Sequence, residues 1–199
     1  AIGSLPRLLH KEFDSVPKSS QYLRSDPTKQ EKWQQRLDEL GDGLKVGITW
    51  RGGKRAQSRE SRSIALDQWL PILRTPNVRF INLQYGDCAE DLASLARKWP
   101  GKIADWDDID QFHKLDDLAA LIFELDLIIS VDNATVHLAA ALGKPVWVLL
   151  PSTPDWRWLL VGDSSYWYPS VRLIRQDQNG EWSPLIHYVA DELKCLIKN

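Results

Sequence analysis

The sequence predicts a doubly wound, Rossmann-like α/β domain built on a parallel sheet of about six strands. Three observations predict it. The chain has 199 residues, enough for one sizeable hydrophobic core and an extension. From residue 43 onward, short apolar runs alternate with helix-like stretches. Several of those runs are apolar along their whole length, the pattern of strands covered on both faces of a parallel sheet.

Residues 1–26 are rich in Ser, Pro and charge without a sustained period, and read as an extended leader or interdomain linker. The domain proper is expected over 27–199. Asp26-Pro27 supplies an N-cap and a first-turn proline, Trp33 and Leu37 recur at helical spacing, and Gly41 is placed to stop the helix, which predicts a helix over about 27–40. Strands are expected at 45–50, 78–83, 127–131, 146–150 and 171–175, with a short additional one near 101–104. Helices are expected at 66–73, 89–99, 117–125, 133–142 and 184–197. In such a sheet, ligands bind beyond the carboxyl ends of the strands, which directs attention to the turns after Trp50, Gln84 and Val131.

Composition narrows the partners. Lys plus Arg total 25 against 27 Asp plus Glu, a net charge of −2, so nothing favours nucleic acid or another polyanion. No apolar run reaches the length of a membrane span and no signal-peptide pattern opens the chain, which predicts a cytoplasmic protein with no transmembrane segment. Cys88 and Cys195 stand far apart without metal-ligand spacing and are expected to be free thiols. The chain has no methionine, which points to processing or truncation of a longer product.

The segment Leu127 to Pro151 carries most of the information. A buried strand stops at Asp132, a helix starts at once, and Gly143-Lys144-Pro145 ends it before a second buried strand. The amides of Asn133, Ala134 and Thr135 then open the helix at the ligand edge, where the backbone dipoles favour an anion, above all a phosphate. His137, one turn on, slants back toward the same end and could donate to a phosphate oxygen. A plainer alternative stays open, in which Asp132 caps the helix and His137 is a satisfied core histidine.

Here the sequence resembles the C-terminal domain of bacterial glycosyltransferases of family 9, the heptosyltransferases, of the type often following tetratricopeptide repeats. Thr153-Pro-Asp-Trp-Arg-Trp158, Ser4-Leu-Pro-Arg7, Tyr22-Leu-Arg24, Lys45 to Gly52, Arg62-Ser-Ile64 and Leu83-Gln84 extend the resemblance over nearly the whole chain. It implies the C-terminal half of a GT-B fold, two Rossmann-like domains facing across a cleft. It also implies a nucleotide diphosphate sugar as donor substrate, no other cofactor, and an N-terminal acceptor-binding domain of the same polypeptide that supplies the general base. Asp132, His137, Leu138 and Ala139 match the family pattern, Asn133 replaces its usual hydroxyl residue, and Gly53 and Lys54 depart from its first loop.

Around that core, Arg51, Lys54, Arg55, Arg59 and Arg62 put five basic residues into 12 positions. Beside Gly52 they suit a diphosphate, or else form a solvated loop, with Arg62-Ser63 the preferred pair. Gln84 could read a ribose or base edge, or cap the next helix. Asp105, Asp107, Asp108 and Asp110 mimic a metal cluster but read better as solvated charge, with Asp116 or Asp117 capping a helix, so no metal is expected. Trp156, Trp158 and Trp167 are ranked first as packing, and His10, His113 and His187 lack catalytic partners.

The expected function is therefore donor binding within a glycosyltransferase that inverts the transferred sugar, this chain alone being inactive. Two alternatives remain: a non-catalytic interaction module on the same half-fold, and a nucleotide-sugar epimerase.

Overall fold

The computed structural model describes residues 19–52, 61–111 and 113–198. Six parallel strands, β1 (Leu44–Thr49), β2 (Val78–Asn82), β3 (Ile103–Ala104), β4 (Leu127–Val131), β5 (Val146–Leu150) and β6 (Val171–Arg175), lie in the order β3-β2-β1-β4-β5-β6. The chain works outward from β1 to β3 and then returns to lay β4 on the other side of β1, so the order reverses between β1 and β4. Crossovers on either side of that point go to opposite faces and leave a crevice at the carboxyl ends.

Helices α1 (Pro27–Asp38), α4 (Leu115–Glu124) and α5 (Ala134–Ala141) cover one face. A 3₁₀ turn at Leu66–Trp69 leading into α2 (Leu70–Leu73), with α3 (Ala89–Lys98) and α6 (Trp182–Lys198), covers the other. β4 explains why its run carries no polar alternation: Leu127, Ile129 and Val131 enter one core while Ile128 enters the other.

The expected elements all occur, with small shifts at their ends. The stretch at 66–73 divides, because Pro71 lacks the N–H to continue a ladder from the 3₁₀ turn and suits only the first turn of a new helix. α1 begins as its cap predicts: Asp26 accepts from the amide of Thr28 at 2.9 Å, and Gly41 closes the helix at φ +77°. α4 differs from expectation. Its N-cap is Lys114, which makes no side-chain cap bond, and Asp116 and Asp117 lie inside the first turn, where their charge faces the dipole.

Residues 1–18, within the segment expected to be a leader or linker, lie outside the described residues, and Tyr22 and Leu23 near its end are seated on α5. The amides of Tyr22 and Leu23 both donate to the carbonyl of Ala141, at 2.7 and 2.9 Å, and the Tyr22 hydroxyl donates to the carbonyl of Trp167 at 3.0 Å. Gly143 is fixed by this packing, since its φ of +77° suits glycine and a Cβ there would sit 2.7 Å from the carbonyl oxygen of Ser20.

Both edges of the sheet are treated specially. β3 pairs with β2 over two residues only, Ile103 and Ala104. Along the outer side of β6, the amide of Leu173 donates to the carbonyl of Asp163 at 2.7 Å and Ser164 bridges Arg172 in antiparallel sense.

Candidate functional site

The crevice at the carboxyl ends of β1 and β4 collects most of the residues singled out above. Thr49 ends β1 and Ser130 sits one residue before the end of β4. Their hydroxyls lie 2.5 Å apart and are fully buried. Asn133 joins them from the next turn: its Nδ2 donates to Thr49 Oγ1 at 2.7 Å and to the Arg51 carbonyl at 3.2 Å. Its Oδ1 accepts the amide of Thr135 at 3.0 Å. One side chain therefore caps α5 and ties it to the loop after β1, where a shorter hydroxyl residue could serve only the first purpose.

This arrangement refines the expected anion site. Asn133, not Asp132, is the cap, and the Thr135 amide is taken by that cap. Ala134, the first residue of α5, is exposed, while Asn133 and Thr135 on either side of it are buried. Gly52 is buried against the same turn and a Cβ there would lie 2.6 Å from the Asp132 carbonyl oxygen, so only glycine lets the two loops meet.

Asp132 is buried, with a side chain only 6% exposed, and its charge is met by Arg62, whose Nη1 lies 2.9 Å from Oδ2. The approach is too oblique for a hydrogen bond, so the pairing is coulombic and Oδ2 accepts no donor. A second arm of Arg62, Nη2, stands 3.6 Å from Asp155 in the loop after β5. Asp155 in turn accepts from Arg157, at 2.6 Å from the guanidinium and 3.2 Å from the backbone amide. Arg51 is also engaged, its Nη2 donating to the Asp87 carbonyl at 2.5 Å and its Nε lying 3.5 Å from Asp91. Ser63 accepts from the Gly52 amide at 3.1 Å and so helps fold the loop. Lys54, Arg55 and Arg59 lie outside the described residues.

Gln84 serves the scaffold. Its Oε1 accepts the amides of Trp50 and Arg51 at 2.9 and 2.8 Å, and its Nε2 donates to the Tyr85 carbonyl at 3.0 Å. It shapes a polar cavity of about 410 Å³ at the ends of β2 and β3, whose lining includes Asn82, Cys88, Asp105 and Asp107. The aspartates near it are dispersed: Asp105 accepts from Asn82 at 2.8 Å, and hydrogen bonds from Arg36 and Lys32 hold Asp108 down at about 2. Among the described residues no group of three metal-ligating side chains forms.

His137 lies on the outer side of α5. Its ring stacks on Trp158 with centroids 5.3 Å apart and planes 14° apart, and Nδ1 is 3.2 Å from the Tyr168 hydroxyl. Burial pushes its pKa below the ordinary value of 6.5, against the pull of Asp132. It lines a largely apolar cavity of about 570 Å³ with Tyr22, Trp156, Arg157, Trp167 and Tyr168. Trp158 is core, as packing required, while Trp156 stays 56% exposed. His113 pairs with Asp110 at 3.1 Å and the His187 ring meets the Ser183 carbonyl at 2.8 Å.

Three pairings escaped sequence reasoning: Thr49 with Ser130, Asp155 with Arg62, and Tyr168 with His137. The first had a signal, since a polar residue interrupts an apolar run near the end of both strands. The others join residues more than 30 positions apart through loops of no fixed period.

A six-stranded parallel sheet of this order, with its polar residues gathered at the strand-order reversal, defines a Rossmann-like domain of the kind that forms one half of a GT-B fold. Within that class the chain resembles glycosyltransferase family 9 (heptosyltransferase), whose model matches residues 113–176. Protein FlbA of Caulobacter vibrioides is 37% identical over 195 residues, 98% of this chain and 32% of that protein. Among solved structures, the ADP-heptose lps heptosyltransferase II of E. coli superposes with TM-score 0.61 at 18% identity, over 88% of this chain and 53% of the other. The C-terminal domain of a glycosyl transferase group 1 family protein, LpcC, from Francisella tularensis gives TM-score 0.50 at 16% identity, over 92% of this chain and 89% of that domain. At these identities the likeness to solved structures is one of fold. The chain spans about a third of the length of its curated relative and about half that of the heptosyltransferase. Among the described residues no helix is long and apolar enough to cross a membrane.

Proposed function

We propose that this chain is the donor-binding half of a glycosyltransferase, and that the crevice between β1 and β4 holds the diphosphate of a nucleotide sugar. The observation that carries the reading is the amino end of α5, exposed at Ala134, at the strand-order reversal and inside the segment that matches the family model. The amides of Asn133 and Ala134 and the helix dipole would receive the phosphates there. The polar cavity beside Gln84 would take the nucleoside end.

Chemically, breaking the bond from sugar to phosphate builds negative charge on the departing diphosphate. Fixed amides and the Arg62 guanidinium stabilise that charge more than the ground state, which is where rate acceleration comes from. Transfer to an acceptor with inversion needs a general base, and the reading assigns that role to the acceptor-binding half of the whole protein. The chain alone is then a binder without transferase activity.

Calorimetric titration with ADP, GDP, UDP and CDP tests the reading. At least one nucleoside diphosphate is expected to bind, and a folded protein that binds none would end the proposal. One set of observations favours the non-catalytic alternative: Arg51 and Arg62 already face carboxylates, and the Thr135 amide is capped. The same titration decides between them.

A further inference from the structure

We propose that Asp155 is a positioning residue for this crevice: it holds one arm of Arg62 until a diphosphate oxygen takes its place. The inference rests on the donor-binding reading and names the residue that sets how strongly Arg62 is offered to the ligand.

The two carboxylates on Arg62 differ in how readily they give it up. Asp132 is the tight one. Its side chain is 6% exposed, Arg62 Nη1 is 2.9 Å away, and Oδ2 accepts no hydrogen bond from any other group. Withdrawing Arg62 would leave a buried charge uncompensated, a heavy penalty. Asp155 is the loose one. Its side chain is 20% exposed, and 3.6 Å to Nη2 is beyond hydrogen-bond range. Asp155 also keeps a cation if Arg62 turns away, because Arg157 Nη1 already holds its other oxygen at 2.6 Å.

A guanidinium has two arms in a fixed fork, so one can stay while the other changes partner. Nη1 remains on Asp132 and Nη2 exchanges Asp155 for phosphate, a shorter and stronger charge-assisted bond. Arg62, Asp132 and Asp155 come from the loops after β1, β4 and β5, so the exchange takes place across the mouth of the crevice. Asp155 thus aims Nη2 and also competes for it. A partly buried pair at this long distance is a weak competitor, and removing it should tighten binding by roughly two- to fivefold.

The test compares the 199-residue chain with Asp155→Asn, titrated calorimetrically with inorganic pyrophosphate and with ADP. Asparagine keeps the oxygen that accepts the Arg157 amide at 3.2 Å, so the loop retains its cap, and a melting curve verifies folding. Tighter binding of both probes is expected, roughly two- to fivefold, and Arg62→Lys, which keeps the charge but has no fork, should abolish the gain. Unchanged or weaker binding by Asp155→Asn, with the wild type binding, overturns the inference alone. A gain that survives in the Arg62→Lys background also overturns it. If neither protein binds either probe, the inference falls, and the donor-binding reading falls with it only where GDP, UDP and CDP also fail to bind.

Discussion

Replacing Asn133 probes the junction on which the crevice depends. In Asn133→Ala, α5 loses its cap, worth about 1 kcal/mol. Thr49 Oγ1 and the Arg51 carbonyl each lose a donor, at 2.7 and 3.2 Å, at a further cost of about 1 kcal/mol apiece. The sum is about 3 kcal/mol, large against typical point mutations. Asn133→Ser keeps an oxygen for the Thr135 amide but cannot span to β1, so it should lose only the cross-loop part, about 2 kcal/mol. Urea denaturation monitored by tryptophan fluorescence measures both, read as midpoint shifts at unchanged slope. A double-mutant cycle with Thr49→Val should return a coupling of about 1 kcal/mol, because the two residues are in contact. The reasoning is refuted if serine is as damaging as alanine, if alanine costs less than about 1 kcal/mol, or if the cycle closes without coupling.

Two further outcomes follow from the same geometry. Gly52→Ala places a Cβ 2.6 Å from the Asp132 carbonyl and 3.3 Å from that of Arg62, both backbone atoms that cannot rotate away. A loss of about 1–3 kcal/mol in urea, together with weaker pyrophosphate binding, is expected, and an alanine variant of wild-type stability would contradict the close approach. His137 has a folded pKa below its ordinary 6.5 because it is buried, so as pH falls through that value the unfolded chain takes up the proton first. Its contribution is fully present above 6.5 and is lost on acidification toward the lowered folded value. Compared at about pH 7.5 and about pH 5.5, His137→Phe should lose less stability than the wild type. An equal loss would show that this histidine is not the group responsible.

The fold was legible because its signals are local. Val146–Leu150 is apolar at every position and Leu127–Val131 at all but Ser130, a pattern that fits strands covered on both faces, and their alternation with helix-like stretches points to a parallel sheet. Asp26-Pro27 and Gly41 marked the ends of α1 for reasons that hold in any context. The candidate crevice was legible as a meeting place of residues and less so as a set of contacts. Asp132, Asn133, Arg51, Gly52, Arg62 and Ser63 do converge, yet which of them caps, pairs or stays open depends on side-chain reach between loops. Asn133 could be read as a donor, but not that its oxygen would cap α5 while its nitrogen spans to Thr49. Gln84 shows the same limit: an amide at a strand end suits a ribose equally well, and only the positions of the Trp50 and Arg51 amides turn it inward.

Open sheets invite company, since an unpaired strand is a template for a neighbour's. Here β3 offers two residues, too short a ledge to nucleate a ladder, and the 163–164 segment already occupies the outer bonding side of β6. Among the described residues a second molecule meets a two-residue ledge at one margin and a partly occupied bonding side at the other, both of which disfavour growth by strand addition, the route to fibrils and runaway oligomers.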